Sequence, residues 1–126
     1  MLRIAICDDQ TQQQKQIEVM LEAYFASRPG GGKSQVECFS DSETLLHRVE
    51  EAGSFDLYLL DILMPGLNGI DIGRKLRALG DGGEIIFLTT SNDFAADSCD
   101  IHAFFYLLKP VEEEKFFSVL DGALKN

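Results

Sequence analysis

Apolar residues along the chain recur at two alternating spacings. Leu2, Ile4, Ile6 and Cys7 form a short buried run that predicts a strand. From Thr11 to Ser27, Ile17, Met20, Leu21, Tyr24 and Phe25 instead fall on one side of a helical period, with glutamines and Lys15 on the other. RPGGGK interrupts that pattern, SQVECF predicts a second strand, and Ser40 with Glu43 forms a capping-box signal ahead of Leu45, Leu46 and Val49. FDLYLLD, Phe55 to Asp61, predicts a third strand that ends in a carboxylate. MPGLNG then turns the chain into a helix carrying Ile70, Ile72, Leu76 and Leu79. EIIFLTTS gives a fourth strand ending in hydroxyls, and Asn92 or Asp93 is placed to cap a short fourth helix. AFFYLLKP gives a fifth strand, and Phe116, Phe117, Leu120 and Leu124 mark the last helix.

Five strand–helix units in strict alternation, with strands this apolar, predict a parallel sheet covered by helices on both faces. Right-handed crossovers make it a doubly wound α/β sandwich. At 126 residues and 45% hydrophobic, the chain has room for one such unit, spanning 1–126, and for no second domain. The net charge of −10 argues against direct contact with nucleic acid, because binding phosphates requires Lys and Arg clustered on one face. Cys7, Cys38 and Cys99 are odd in number and lack a C-x-x-C pair, so reduced thiols are expected rather than a disulfide framework or a zinc site. Met1 leads straight into the strand pattern and no apolar run is long enough to span a bilayer, so the expectation is a soluble, cytoplasmic protein without membrane contact.

In a doubly wound sheet, ligands bind beyond the carboxyl ends of the strands. There the sequence places Asp8 and Asp9 after the first strand, Asp61 at the end of the third, Thr89 at the end of the fourth and Lys109 at the end of the fifth. Adjacent carboxylates repel one another unless a cation or donor holds them. Three carboxylates, a hydroxyl and an ammonium on one rim suit a divalent metal and a phosphoryl group: hard oxygens for Mg²⁺, a nucleophile, and donors for phosphoryl oxygens. Taken singly, most of these residues have plainer explanations. Adjacent acids favour a helix N-terminus, Thr89 can cap a turn, Lys109 can be a solvated strand end, and Tyr106 can be a half-buried core aromatic. Pro65, Gly66 and Gly69 read as ordinary loop formers. Asp61 is harder to dismiss, since a carboxylate ending so apolar a strand needs a partner.

Four motifs, each at a predicted strand end, resemble the receiver domain of two-component response regulators: CDD at Cys7 to Asp9, LLDILMPGLNG at Leu59 to Gly69, FLTTS at Phe87 to Ser91, and YLLKP at Tyr106 to Pro110. The resemblance covers the whole chain. It implies a flavodoxin-like, doubly wound, five-stranded parallel sheet of order 2-1-3-4-5 with five helices. It makes Asp61 the phosphoacceptor for a sensor histidine kinase, Asp9 a direct Mg²⁺ ligand, Asp8 a mainly water-mediated one, and Leu63 a ligand through its backbone carbonyl. It also implies that Thr89 and Lys109 hold phosphoryl oxygens, that Tyr106 is the switch aromatic coupled to Thr89, and that the Lys109–Pro110 bond is cis. Such a domain is a phosphoacceptor switch rather than an enzyme, although it assists its own phosphorylation and dephosphorylation.

Other chemistries fit less well. A haloacid-dehalogenase-like phosphatase needs a second Asp two residues after its nucleophile, where this chain has Leu63. An FMN carrier needs a phosphate cradle, where Asp8 and Asp9 would repel the ligand. A receiver that has lost phosphorylation is the last alternative, yet every chemical position is filled. Within the family, FFYLLKPV is most similar to regulators with a LytTR-type DNA-binding output, so DNA would be contacted only through a domain outside this chain, in transcriptional control. Two departures stand out. His102 occupies a position that is often Gly, which predicts a left-handed backbone there, and Thr90 replaces a more common Ala, which predicts narrower access to Asp61. Five consecutive large side chains, Phe104 to Leu108, exceed what one strand buries easily. Two readings stay open: both phenylalanines pack beneath the fourth and fifth helices, or Phe105 belongs to a homodimer surface on the face of the fourth helix, fifth strand and fifth helix.

Overall fold

A computed structural model describes residues 2–28, 34–91, 93 and 95–124. Its elements are β1 (Leu2–Cys7), α1 (Thr11–Ser27), β2 (Ser34–Phe39), α2 (Ser42–Ala52), β3 (Leu57–Asp61), α3 (Gly69–Ala78), β4 (Glu84–Thr89), α4 (Ala95–Asp100), β5 (Phe105–Leu108) and α5 (Glu113–Ala123). The five strands pair in parallel in the order β2-β1-β3-β4-β5, so the predicted doubly wound, flavodoxin-like sheet is the one observed. Side chains alternate across it. Ala5, Cys7, Tyr58, Leu60, Ile85 and Phe87 pack with α2 and α3 on one face, whereas Ile4, Ile6, Leu57, Leu59, Ile86 and Leu88 pack with α1 and α5 on the other. Among the described residues, β1, β3 and β4 are the strands covered on both faces. The edge strands β2 and β5 are partly exposed, as edges in a twisted open sheet are.

Local chemistry sets several element ends. The capping box expected from Ser40 and Glu43 does not form; the N-cap is the next residue, Asp41, which adopts the extended cap conformation and whose carboxylate accepts the Thr44 N–H at 2.8 Å. A reciprocal capping box lies instead at α3, where the Asn68 side chain accepts from Asp71 N–H and the Asp71 carboxylate accepts from Asn68 N–H. Asn92 is outside the described residues. Asp93 donates its N–H to Ser91 Oγ, in a turn two residues ahead of α4. His102 has φ 61°, the left-handed conformation expected of it, and the Lys109–Pro110 bond is cis. At the far end of the sheet, the Arg77 guanidinium joins the α3–β4 connection to the end of α4 by donating to the carbonyls of Asp81, Gly83, Ile101 and His102. Among the described residues, no helix is long and apolar enough to cross a membrane.

Candidate functional site

The parallel register brings the carboxyl ends of β1, β3, β4 and β5 to one rim, and four of the five predicted polar residues meet there in defined contacts. Carboxylate oxygens of Asp8, Asp9 and Asp61 all lie within 4.8 Å of one another. Lys109 Nζ lies 3.0 Å from Asp8 Oδ2 and 3.6 Å from Asp61 Oδ2. The two acids after β1 are not equivalent: Asp8 is buried, at 5% exposure, and Asp9 is exposed. Asp8 tolerates burial because both of its oxygens are occupied, Oδ1 by the Gln10 N–H at 2.9 Å and Oδ2 by Lys109.

Asp61, at 7% exposure, accepts the Leu63 N–H at 3.3 Å on Oδ1. Burial pushes its carboxyl above the usual carboxylate range. Lys109 opposes that shift, and repulsion from Asp8 and Asp9 adds to it. The same negative field reaches the buried Cys7 thiol, which burial first and then Asp41, Asp8, Asp61 and Asp9 push up to about 12. Hard oxygen donors crowded in this way, with one ammonium among them, match what a divalent cation requires. Gly69 is more than a loop former here: a Cβ on it would lie 2.5 Å from the Asp61 carbonyl oxygen, so glycine lets α3 start directly against the end of β3.

Thr89 is fully buried at the end of β4. Its Oγ1 accepts the Ser91 N–H at 3.3 Å, and its carbonyl accepts the Lys109 N–H at 2.7 Å. The half-buried Tyr106 donates its hydroxyl to the Ser91 carbonyl. Ser91 therefore joins the two proposed switch residues, a link that sequence spacing did not reveal. The side chain of Leu63 is exposed, and what ties it to the site is its N–H on Asp61. Thr90 is exposed and shares a cleft with Gln13, Gln16, Lys109 and Pro110. On the adjoining face Phe104, Phe105 and Leu108 are all exposed; Lys115 Nζ lies 5.2 Å from the Phe105 ring centre, and one edge of the Phe104 ring lies against Gly122 of α5.

The Pseudomonas putida F1 protein named "Response regulator protein TodT" is 34% identical over 92 residues, which is 71% of this chain and 40% of TodT. The Enterococcus faecalis V583 "Sensory transduction protein LytT" is 27% identical over 124 residues, covering 98% of this chain and 48% of LytT. The chain thus spans less than half the length of either relative. The crystal structure of the response regulatory domain of mrkE from Klebsiella pneumoniae superposes with a TM-score of 0.84 at 22% identity, covering 98% of this chain and 96% of that one, and so shares its fold. Residues 4–121 match the family described as "Response regulator receiver domain". A parallel sheet that gathers acids and a lysine on one rim, within a chain matched along nearly its whole length, leads to one assignment: the chain belongs to the response regulator receiver domains, the signalling switches of two-component systems.

Proposed function

We propose that Asp61 accepts a phosphoryl group from the phosphohistidine of a sensor histidine kinase in a Mg²⁺-dependent reaction, and that the domain then changes conformation to control an output. The observation that carries this reading is the position of Lys109, whose ammonium lies between Asp8 and Asp61 while Asp9 completes an acid cluster. An Asp61 carboxylate oxygen attacks phosphorus, the phosphorus–nitrogen bond to the histidine breaks, and an acyl phosphate remains. Attack by water on that phosphorus later restores the carboxylate. Asp9, Asp61 and the Leu63 carbonyl would hold the metal directly and Asp8 mainly through water, and the charge of the ion would offset the repulsion between carboxylate and phosphoryl group. Lys109 and Thr89 bind phosphoryl oxygens, and Lys109 neutralises charge that builds up during transfer.

The acyl phosphate adds about −1.5 to −2 charges, by analogy with other phospho-residues. Movement of Thr89 toward it reaches Tyr106 through Ser91 and alters the face formed by α4, β5 and α5, where Phe105 supports a phosphorylation-dependent homodimer. Similarity to LytT favours transcriptional control through a LytTR-type DNA-binding domain, and the net charge of −10 argues that DNA would be contacted outside residues 1–126. As a receiver of two-component signalling the domain would act in the cytoplasm. Intact-mass measurement after incubation with acetyl phosphate and Mg²⁺ tests the chemistry. One phosphoryl group should be gained, chelation by EDTA should prevent the gain, and Asp61→Asn should abolish it while Glu22→Ala does not. Undiminished labelling of Asp61→Asn overturns the assignment.

A further inference from the structure

Gln14 is a buried carboxamide, at 6% exposure, in a helix whose other buried positions are Ile17, Leu21 and Tyr24. An amide in such a place costs stability unless its hydrogens are used. Its Nε2 donates to the Asp8 carbonyl at 2.6 Å and to the Phe39 carbonyl at 3.0 Å, with Ser40 Oγ a longer neighbour at 3.3 Å. The Phe39 carbonyl also accepts the Asp8 N–H at 3.0 Å. One side chain from α1 therefore ties together the two chain segments that leave β1 and β2.

The β1–β2 pairing ends at Cys7 opposite Phe39, so the Asp8 carbonyl lies one residue beyond the ladder and takes its hydrogen from Gln14 instead. The peptide joining Asp8 to Asp9 is planar, and holding its oxygen fixes the orientation of that plane. The Asp8 carboxylate has its own partners in Gln10 and Lys109. Asp9 is exposed, so its carboxylate is aimed by the backbone that carries it. Neighbouring carboxylates repel, and without this tie the connection after β1 can relax by spreading them.

We infer that Gln14 is a positioning residue for the divalent cation: by holding the Asp8–Asp9 peptide it keeps the acid pair at the separation that binds the metal. This rests on the reading of Asp8, Asp9 and Asp61 as a Mg²⁺ site. Gln14→Met keeps the length, the flexibility and the helix preference of the side chain and removes its amide, the Nε2 donors that hold the two carbonyls together with the Oε1 acceptor. Groups that orient metal ligands at one remove typically alter affinity by about 10- to 100-fold. Because Gln14 acts through a backbone carbonyl, the low end applies, a loss of roughly tenfold.

The test is calorimetric titration of Mg²⁺ into the metal-free chain, compared with Gln14→Met and with Val119→Ala, a cavity variant in α5 that lowers thermal stability without touching the site. If Gln14→Met does not fold, Gln14→Ala replaces it. The expected result is a roughly tenfold higher Mg²⁺ dissociation constant in the Gln14 variant and an unchanged one in Val119→Ala, with phosphoryl uptake on Asp61 restored at saturating Mg²⁺. An unchanged constant in the Gln14 variant, or an equal rise in Val119→Ala, overturns the inference and leaves the metal site standing. Absence of saturable Mg²⁺ binding in the unsubstituted chain overturns the metal site and the inference together.

Discussion

Lys109 Nζ is closer to Asp8 than to Asp61, at 3.0 Å against 3.6 Å, so the ammonium is anchored on the acid after β1 and reaches toward the one at the end of β3. Removing it leaves two buried carboxylates and an exposed third without their cation. Lys109→Met should therefore destabilise the metal-free protein at pH 7 by about 3 kcal/mol, the low end for breaking a buried pair because the lysine keeps some solvent contact. Mg²⁺ should return part of that loss, and so should acidification. Thermal melts at pH 7 and pH 4, with and without Mg²⁺, check this, and a loss independent of both contradicts it.

Asp61→Asn should have the opposite effect on stability. Burial, with repulsion from Asp8 and Asp9, raises the Asp61 carboxyl above its usual value of 3.8 despite Lys109. The folded state thus takes up this proton more readily than the unfolded chain. Its stabilising contribution is fully present below the unfolded value and is lost as pH rises through the raised folded value. At pH 7 without Mg²⁺ the Asn variant should melt a few degrees higher than the parent. That difference should shrink as pH falls toward 3.8, and added Mg²⁺ should stabilise the parent more than the variant. Melting curves over that pH range measure both effects.

Tyr106→Phe removes the hydroxyl that meets the Ser91 carbonyl and leaves the ring packing in place. About 1 kcal/mol of stability should be lost in denaturant titration. Phosphoryl uptake by Asp61 should continue at the parental rate, because the chemistry does not use this hydroxyl. A variant that cannot be labelled would place Tyr106 in the reacting centre instead.

Phe105 and Leu108 are exposed on β5, at 38% and 44%, whereas Leu107 between them is buried. If this surface closes a homodimer, sedimentation velocity should show more dimer in the presence of Mg²⁺ and beryllofluoride than without them. Phe105→Ala should abolish that response while Mg²⁺ binding survives. Phe104→Ala is the informative contrast: Phe104 is as exposed as Phe105, but one edge of its ring lies against Gly122 of α5, so that variant should lose a little stability and keep the response. A parent that never responds to beryllofluoride removes the dimer from the switch.

The sequence by itself determined the order of elements and the layering of the sheet, and it located the strand ends to within about two residues: β4 stops at Thr89 and β5 at Leu108, inside the longer EIIFLTTS and AFFYLLKP runs. α1 spans the Thr11 to Ser27 read from helical spacing, β3 and β4 are as apolar as a doubly covered strand must be, and His102 takes the left-handed conformation expected of it. These are local properties, written in side-chain period and backbone preference. Tertiary structure alone decided that Asp8 is buried and Asp9 is not, since two adjacent acids carry the same local signal and the arrival of Lys109, 101 residues away in sequence, together with the turn that brings the Gln10 N–H onto Asp8, distinguishes them. It also moved the α2 cap from Ser40 to Asp41, made Gly69 a steric requirement beside the Asp61 carbonyl, and turned Gln14 from one of several glutamines into the tie between β1 and β2. Periodicity records which face of an element is covered. Which donor meets which acceptor across that face depends on how neighbouring strands register and how the helices settle on them, and no stretch of sequence contains that information locally.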